Sequence, residues 1–334
     1  MAEQAAAVVC VTGASGYIAS WLVKLLLHRG YTVRATVRNL SDPQKVEHLL
    51  ALEGAAERLK LFESDLLIQG SFDSVVHGCQ AVFHTASPVA LVASDPQKEL
   101  IDPAVKGTMN VLESCKKASL KRVIITSSMA SVMFNYNPLG PDVVVDESWY
   151  SDTAFCRDKK EWYALSKTLA ETAAREFSEA NGLDLITLHP GFVIGPLLQP
   201  TINLTSQSFA DLISKGKEVW PSGVYRYVDV RDTALAHILA FENVTARGRY
   251  CLVNKVIRSS QALDMLTQIF PSLELATVDK KKNDGVGNGS LDDNLPPYKV
   301  SKERAESLGV CFTPLEVTFK DTVESLKEKG IIDF

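Results

Sequence analysis

The chain has 334 residues, of which 46% are hydrophobic and 22% are charged, and its formal net charge is −5. This composition is that of an ordinary globular protein, and the length allows one large domain or about one and a half smaller ones. No basic stripe runs along any predicted helix, so we do not expect a nucleic-acid partner.

The cysteines and the first residues of the chain limit which kinds of site and which cellular compartment we expect. The six cysteines are scattered, with no Cys-x-x-Cys pair and no Cys/His cluster, so we expect neither a metal site nor a disulfide framework. The apolar run from Ala5 to Val11 is too short to cross a membrane and has no basic segment before it. We therefore expect a cytoplasmic protein that does not bind membranes, and we interpret this run as the first strand.

The first half of the chain alternates short apolar runs with helical patterns, which is typical of a parallel sheet covered on both faces. Strands are predicted at Val8–Val11, Thr32–Val37, Leu59–Phe62, Ala81–Phe83, Val123–Thr126 and Leu185–Leu188. Helices are predicted at Tyr17–His28, near Ser71–His77, at Glu99–Ala118 and at Trp162–Ala180. This order predicts an α/β protein with a Rossmann-type, doubly wound parallel sheet.

The pattern becomes less regular after Pro190. Loops are predicted at Pro196–Pro200, at Trp220–Gly223 and over the charged run Lys280–Asn294. A strand is predicted near Tyr250–Val253, and helices are predicted near Ser259–Ile269 and Ser301–Leu308. We therefore predict a nucleotide-binding domain over residues 5–190, completed by one returning strand, and a smaller, mainly substrate-binding lobe over residues 191–330.

A glycine turn joins the first strand to the first helix, with the sequence Thr12-Gly13-Ala14-Ser15-Gly16-Tyr17-Ile18-Ala19. Gly13 permits the tight turn, Gly16 lets the backbone approach a pyrophosphate, and the small Ala19 allows the helix to pack closely on the sheet. The start of the helix then faces the phosphates. Because both flanking elements are present, this Gly-x-x-Gly-x-x-Ala spacing predicts a dinucleotide site rather than a turn without a ligand.

The end of the second strand distinguishes the two nicotinamide dinucleotides. An acidic residue there would bind the ribose 2′-hydroxyl, but the sequence reads Thr36-Val37-Arg38, and the first acidic residue afterwards is Asp42. Arg38 can hold a 2′-phosphate in a bidentate, charge-assisted pair, with a solvated surface arginine as the alternative. Lys45 can add a second positive charge, or it is equally well a surface lysine. The pattern predicts NADP(H).

Two further segments follow predicted strands. Asp65-Leu66 comes after the third strand, where a carboxylate could bind the adenine amino group. Thr85-Ala86-Ser87 comes after the fourth strand, where small side chains would let a dinucleotide lie across the strand ends. Because open α/β sheets bind ligands at the carboxyl ends of their strands, we expect both segments to contact the cofactor.

A tyrosine, a lysine and two neighbouring serines suggest the reduction of a carbonyl group. Tyr163 and Lys167 are four residues apart on a predicted helix and so share a face, although such pairs also occur by chance on surface helices. We expect the charge of Lys167 to lower the pKa of Tyr163, which would make the phenol a usable proton donor near neutral pH. Ser127 and Ser128 follow the fifth strand, and either hydroxyl could stabilise the charge that develops on the carbonyl oxygen.

Taken together, these residues resemble a known family. The relevant positions are the Gly13–Ala19 turn, Arg38, Asp65-Leu66, His84–Pro88, Thr126–Ser128, Tyr163 with Lys167, and Pro190 with Gly195-Pro196. They are similar to the motifs of extended short-chain dehydrogenases/reductases. More narrowly, from Val8 to about Lys329 the chain resembles the plant dihydroflavonol reductases, cinnamoyl-CoA reductases and phenylacetaldehyde reductases. The stretch Glu161–Lys167 lacks the Asn and Cys that mark cinnamoyl-CoA reductases, which argues against reduction of a thioester. Within the group, the chain most resembles the phenylacetaldehyde reductases, which reduce aromatic and other hydrophobic aldehydes.

The resemblance also implies roles for particular residues. It implies that Ser128 rather than Ser127 contacts the carbonyl oxygen, and that Lys167 also binds the nicotinamide ribose. It supports contacts between the nicotinamide amide and the backbone of Pro190, Gly191 and Val193. It also supports a contact between Thr205 and a phosphate. The remaining expected cofactor contacts belong to the glycine turn, namely Gly13, Ala14, Ser15, Gly16, Tyr17 and Ile18.

The expected activity is the NADPH-dependent reduction of a hydrophobic or aromatic aldehyde or ketone to the alcohol, by a monomer or a homodimer. One alternative is a cinnamoyl-CoA or dihydroflavonol reductase, and another, from a different class, is an NADP(H)-binding sensor without catalytic activity. Apolar side chains around the site either line a substrate pocket or belong to the core. They are Val89, Leu91, Met129, Phe134, Tyr136, Phe192, Trp220 and Tyr225.

Overall fold

The computed structural model describes residues 7–89, 93–218, 222–271 and 297–333. Its strands are β1 (Val8–Thr12), β2 (Thr32–Val37), β3 (Leu59–Glu63), β4 (Ala81–His84), β5 (Arg122–Thr126), β6 (Val144–Val145), β7 (Asp184–Pro190), β8 (Phe192–Ile194), β9 (Val224–Asp229), β10 (Gly248–Leu252), β11 (Lys255–Arg258) and β12 (Lys299–Val300). Its helices are α1 (Tyr17–His28), α2 (Pro43–Leu50), α3 (Ala55–Arg58), α4 (Asp73–Val76), α5 (Asp102–Lys117), α6 (Thr153–Asp158), α7 (Trp162–Asn181), α8 (Leu204–Lys215), α9 (Val230–Glu242), α10 (Ser259–Ile269), α11 (Glu303–Ser307) and α12 (Leu315–Glu328).

Seven strands form one parallel sheet in the order β10-β7-β5-β4-β1-β2-β3. β4 and β5 are buried over their full lengths, as expected for central strands with both faces covered. The strand order reverses between β1 and β4, so the segments that leave their carboxyl ends diverge and open a crevice for a ligand. The sheet and its flanking helices confirm the predicted Rossmann-type α/β fold.

The elements predicted for the first half lie where the sequence places them. α1 and β2 have their predicted bounds, and the other predicted strands of this half agree within two residues. The long helix predicted from Glu99 begins instead as a π-helical turn, Gln97–Ile101, which leads into α5. β7 extends to Pro190, two residues beyond the predicted end at Leu188.

The second half contains elements that the sequence did not predict, among them α8, α9, α12, β8 and β9. Strands β11, β9 and β8 form a three-stranded sheet, and β12 pairs with β6. The loop predicted at Lys280–Asn294 lies outside the described residues, as do Trp220 and Pro221 of the loop predicted at Trp220–Gly223.

The two halves of the chain share a hydrophobic core. Val9 of β1 and Leu22 of α1 belong to the same buried cluster as Tyr227 of β9 and Phe319 of α12. Tyr227 packs edge-on against Phe192 and Phe319, with ring centroids 5.6 and 5.1 Å apart. β10 joins the main sheet beside β7, as predicted for a returning strand. The assignment of residues 5–190 to nucleotide binding and of 191–330 to substrate binding stays a prediction.

Gly191 links β7 to β8 where two backbone segments approach closely. A Cβ at this position would collide with the carbonyl oxygen of Arg226 and lie 3.1 Å from Cγ2 of Val253. Gly191→Ala should therefore lower the free energy of unfolding by about 1–3 kcal/mol, the usual range for overpacking, as measured by urea denaturation. Gly140→Ala is the control, because no atom of the described residues lies within 4 Å of its added Cβ. Equal stability of the two variants would contradict this prediction.

Candidate active site

The glycine turn lies at the carboxyl edge of the sheet, against the segment that follows β4. Gly13 has a φ of +65°, and a Cβ there would lie 2.9 Å from both Cα and Cβ of Ala86, so this position requires glycine. Gly16 is exposed and precedes the twelve residues of α1, and no side chain of the described residues caps the helix start. The first amides of α1 are therefore available to a phosphate.

Thr12, at the end of β1, ties the glycine turn to the end of β4. Its Oγ1 accepts hydrogen bonds from the amides of Thr85 and Ala86, each over 3.1 Å, and lies 2.9 Å from Nδ1 of His84. Thr85 donates its hydroxyl to the Thr12 carbonyl. These bonds bring the predicted contacts Thr85, Ala86 and Ser87 beside the turn. The role of Thr12 depends on the pairing of β1 with β4, so the sequence alone did not indicate it.

Arg38 and Lys45 lie beyond the end of β2. Arg38 is exposed directly after the strand, and Lys45 is half-buried near the start of α2. Thr36, near the end of β2, accepts two hydrogen bonds from the glycine turn. Its carbonyl oxygen accepts from the Ala14 amide over 2.8 Å, and its hydroxyl oxygen accepts from the Gly13 amide over 3.2 Å. Because these bonds join the end of β2 to the glycine turn, Arg38 lies at the same edge of the sheet as the proposed phosphate site.

Asp65 and Leu66 follow β3 at this edge. Asp65 is exposed, and its Oδ1 accepts from the amide of Leu67 over 2.7 Å. A carboxylate has acceptor capacity for several partners, so this bond leaves room for a further donor. Leu66 packs against Gly107 of α5, where an added Cβ would lie 2.9 Å from Cβ of Leu66. The close approach of α5 fixes this segment beneath the crevice.

The side chains of Tyr17 and Ile18 serve the packing of α1. Tyr17 donates its hydroxyl to the carbonyl of Gly195 over 2.7 Å, and burial raises the pKa of Tyr17 well above its ordinary value. Ile18 packs against the main core, while Ala14 is buried and Ser15 is half-buried. The predicted cofactor contacts of Tyr17 and Ile18 would therefore be made by their backbone atoms rather than by their side chains.

Ser128 and Tyr163 meet although they come from different elements. Ser128 precedes a 3-10 turn, Met129–Ser131, and its Oγ accepts from the amide of Ala130 over 3.1 Å. Tyr163 lies in the first turn of α7. A hydrogen bond with Ser128 lowers the pKa of Tyr163, but burial raises it by more, so the pKa lies above its ordinary value. Two hydroxyl groups are thus available to one carbonyl oxygen.

Lys167 lies one helical turn after Tyr163, with 7% of its surface exposed. Its Nζ is 5.9 Å from the centroid of the Tyr163 ring and donates to the carbonyl of Thr126 over 3.4 Å. Burial lowers the pKa of Lys167 to about 8, and the charge of Glu171 opposes this shift.

The predicted lowering of the Tyr163 pKa by Lys167 is wrong for this structure. Removal of the phenol from water disfavours the phenolate, and this cost dominates the pKa of Tyr163. The side chain that opposes it is the hydroxyl of Ser128 rather than the ammonium of Lys167. Tyr163 is therefore a protonated phenol at neutral pH.

The segment from Pro190 to Val193 runs from the end of β7 into β8. The Gly191 amide donates to the carbonyl of Leu252 over 3.0 Å, which ties this segment to β10. Thr205, in the first turn of α8, donates its hydroxyl to the carbonyl of Val193 over 2.5 Å. The predicted contacts Pro190, Gly191, Val193 and Thr205 therefore form one connected segment.

A buried polar network that was not predicted from the sequence lies behind Ser128. Glu171 of α7 accepts hydrogen bonds from the hydroxyls of Ser127 and Ser131 and pairs with Arg249 of β10. His189 of β7 is fully buried beside this carboxylate, and burial lowers its pKa to about 4, so it is neutral at pH 7. The spacing of Glu171 four residues after Lys167 was a signal for a shared helix face. Nothing in the sequence indicated Arg249.

A small cavity lies beside Lys167. Lys167, Glu171 and Ser127 line it on one side, and His84 and Ala86 line it on the other. Because Ala86 also contacts the glycine turn, this cavity brings the lysine of α7 near the proposed phosphate site.

Three of the apolar side chains considered for a substrate pocket, Met129, Phe192 and Tyr225, belong to the core. Phe192 and Tyr225 are buried and pack edge-on with centroids 5.1 Å apart. Met129 and Phe134 lie in or against a smaller buried cluster near Ser128, and Tyr136 is exposed. Val89 is also exposed, while Leu91 and Trp220 lie outside the described residues.

Within residues 7–89, 93–218, 222–271 and 297–333, no helix combines the length and the apolar character needed to span a bilayer. In the same ranges no group of three or more His, Cys, Asp or Glu side chains is arranged to hold a metal ion. All six cysteines are free thiols.

Comparison with known proteins shows which family this chain is related to. The NAD dependent epimerase/dehydratase family matches residues 9–253. Cinnamoyl-CoA reductase CAD2 of Medicago truncatula is 55% identical over 325 residues, which cover 96% of each protein. Vestitone reductase from alfalfa (Medicago sativa) has a TM-score of 0.81 at 32% identity and covers 97% of this chain and 99% of its own. Yeast methylglyoxal/isovaleraldehyde reductase Gre2, solved with NADPH, has a TM-score of 0.83 at 28% identity, over 97% and 100%.

The fold and the site define a Rossmann-type protein with a dinucleotide turn and a serine–tyrosine–lysine group at the carboxyl edge of its sheet. The chain belongs to the NAD dependent epimerase/dehydratase family, that is, to the extended short-chain dehydrogenases/reductases. Within it, the relatives confirm the resemblance to the dihydroflavonol and cinnamoyl-CoA reductase group that the sequence indicated.

Proposed function

We propose that this chain reduces a hydrophobic or aromatic aldehyde or ketone to the alcohol with NADPH. It is an oxidoreductase that acts on carbonyl groups, in keeping with the reductases to which it is similar. The observation that carries the proposal is the convergence of Ser128, Tyr163 and Lys167 at the edge of the sheet where the glycine turn lies.

The residues around the crevice fit NADP(H). A glycine is required at position 13, the start of α1 has no side-chain cap among the described residues, and Arg38 follows β2 where an acidic residue would favour NAD. The proposed contacts are Gly13, Ala14, Ser15, Gly16, Tyr17, Ile18, Arg38, Lys45, Asp65, Leu66, Thr85, Ala86, Ser87, Tyr163, Lys167, Pro190, Gly191, Val193 and Thr205. When bound, NADPH supplies the hydride that reduces the carbonyl carbon.

The catalytic side chains then act on the carbonyl oxygen. Because its pKa is raised, Tyr163 carries its proton at neutral pH, which is the form that a general acid needs. The Tyr163 hydroxyl gives this proton to the oxygen, and the Ser128 hydroxyl donates a hydrogen bond that stabilises the developing negative charge. Lys167, one helical turn after Tyr163, would bind the ribose of the nicotinamide through its ammonium and so hold the cofactor beside the phenol.

A thioester substrate is the second candidate. The relative with 55% identity is named a cinnamoyl-CoA reductase, which favours this alternative. In this chain, however, the stretch around the tyrosine reads Glu161-Trp162-Tyr163-Ala164-Leu165-Ser166-Lys167, without the Asn and Cys of the cinnamoyl-CoA reductase motif. We therefore place the free aldehyde first, and a dihydroflavonol after the thioester.

A substrate panel tests the proposal. Consumption of NADPH is followed by its absorbance with phenylacetaldehyde, cinnamaldehyde, a hydroxycinnamoyl-CoA and a dihydroflavonol, each at the same concentration. We expect the highest kcat/KM with the simple aldehydes. Turnover of the thioester or the dihydroflavonol alone would overturn the substrate assignment in favour of that class.

The panel also tests the sensor alternative. A non-catalytic NADP(H)-binding protein would bind NADPH tightly and consume none of it with any of the four compounds. The chain keeps Tyr163 and Lys167, which argues for catalysis. A cytoplasmic location and a monomeric or homodimeric state remain predictions, tested by fluorescence imaging of the tagged protein and by analytical ultracentrifugation.

A further inference from the structure

Glu171 is a buried carboxylate directly behind the catalytic residues. It lies on α7, one turn after Lys167 and two turns after Tyr163, so the three side chains follow one another along one face of the helix. With 9% of its surface exposed, such a group is retained in a fold when hydrogen bonds and opposite charges satisfy it.

The carboxylate of Glu171 holds the turn that carries Ser128. Oε2 accepts from the hydroxyl of Ser127 over 2.7 Å and from that of Ser131 over 2.6 Å. Oγ of Ser131 also lies 2.9 Å from the carbonyl oxygen of Ser128. The residues on both sides of Ser128 in this turn are therefore fastened to the helix that carries Tyr163.

Arg249 of β10 completes the attachment from the opposite side. Its Nε donates to Oε1 of Glu171 over 2.7 Å, and its guanidinium also donates to the carbonyl of Ser131 over 3.2 Å. Further bonds run from Arg249 to the carbonyls of Glu147 and Trp149, over 2.8 and 2.5 Å. One ion pair thus joins α7, the Ser128 turn, the segment before α6 and the last strand of the main sheet.

Glu171 also supplies negative charge near Lys167. Both side chains line the cavity beside the cofactor crevice, and the Glu171 charge raises the pKa of Lys167 against the effect of burial. The other titratable groups that face Lys167 are Tyr163, His84 of β4 and His189 of β7. Burial lowers the pKa of His84 to about 3 and that of His189 to about 4, so neither carries charge at neutral pH.

We propose that Glu171 is a positioning residue, which fixes the Ser128 turn against α7 and keeps the Lys167 side chain protonated at the pH of the reaction. This proposal rests on the proposed function for its effect on catalysis, but its effect on Lys167 is independent of any substrate. The ion pair with Arg249 compensates the cost of burying the Glu171 carboxylate.

The first test measures the protonation of Lys167 by NMR. Protein with 13C-labelled lysine is titrated, the Lys167 signal is assigned by its loss in Lys167→Arg, and Glu171→Gln is compared with the unmodified chain. Gln has the size of Glu and no charge, so we expect the pKa of Lys167 to fall by about 1–3 pH units. Glu176→Gln, an exposed position on the same helix, is the matched control and should leave that pKa unchanged.

Glu171→Gln leaves the Arg249 guanidinium without its carboxylate partner, which could prevent stable folding. A second variant keeps the proposal testable in that case. In the double variant Glu171→Gln/Arg249→Gln both charges are absent, and we expect the same fall in the Lys167 pKa. An unchanged Lys167 pKa in either folded variant would overturn the proposed role in protonation.

Kinetics with the preferred aldehyde separate this role from a purely structural one. A lower Lys167 pKa means that the ammonium is lost at lower pH, so the alkaline limb of the kcat profile should move to lower pH in Glu171→Gln. Ser131→Ala removes a hydroxyl that holds the turn and leaves the carboxylate of Glu171 charged. It should lower kcat, with the alkaline limb at the same pH and a nearly unchanged KM.

If both variants lose only stability and keep the pH profile and kcat, the proposal is wrong. If no compound in the panel is reduced, the proposed function fails while the NMR result still decides the role of Glu171 toward Lys167.

Discussion

Tyr163→Phe is expected to lower kcat by about 10²–10⁴-fold, the usual contribution of a general acid, while the dissociation constant for NADPH changes by less than about threefold. The phenol hydroxyl is the proton source in the proposed mechanism, and Phe keeps the ring that packs in the first turn of α7. The measurements are steady-state kinetics with the preferred aldehyde and fluorescence titration with NADPH.

Tyr31→Phe is the control for this substitution. It removes the same hydroxyl group, which hydrogen-bonds Glu242 over 3.0 Å, at the amino end of β2 and so at the opposite edge of the sheet. We expect its kcat to match that of the unmodified chain. Full activity in Tyr163→Phe would remove the tyrosine from the mechanism, and a loss of NADPH binding there would show that the ring mainly supports the cofactor site.

Arg38→Ala is expected to raise the dissociation constant for NADPH by about 10–100-fold and to leave that for NADH nearly unchanged. The exposed guanidinium directly after β2 would make charge-assisted hydrogen bonds to a 2′-phosphate, each worth about 1.5–3 kcal/mol. NADH has no such phosphate, so the ratio of the two dissociation constants isolates this contact.

Arg175→Ala provides the comparison for Arg38. Arg175 is an exposed arginine of α7 that faces Glu179 over 3.5 Å, and its removal changes the net charge of the protein by the same amount. If Arg175→Ala weakens NADPH binding as much as Arg38→Ala does, general electrostatics rather than a specific contact explains the effect. Equal affinities of the unmodified chain for NADPH and NADH would contradict the cofactor choice itself.

Much of the first half of the fold could be predicted because its signals are local. A buried parallel strand is a short, nearly continuous apolar run, as in Val123–Thr126, and a glycine turn follows β1 within a few residues. The later elements gave weaker signals. α9 is buried on several sides, at Val230, Ala234, Ala236 and Ile238 among others, so its apolar positions do not form the one-sided stripe that marks a surface helix.

The candidate site divides in the same way. The spacing of Tyr163 and Lys167 and the serines after β5 are visible in the sequence, whereas the partners of Glu171 are distant in it: Arg249 follows 78 residues later. The direction of the Tyr163 pKa shift was predicted wrongly, because a neighbouring lysine is a local feature and burial of the phenol depends on the complete fold.

The place of β10 in the sheet has a consequence for synthesis of the protein. β10 pairs along the outer side of β7 from Gly248↔Ile186 to Leu252↔Pro190, and β7 is a strand of about seven residues with unpaired amides and carbonyls until then. At about 5–20 residues per second, the ribosome needs several seconds to extend the nascent chain from one strand to the other. During this interval the open edge of β7 is a template for pairing with another chain.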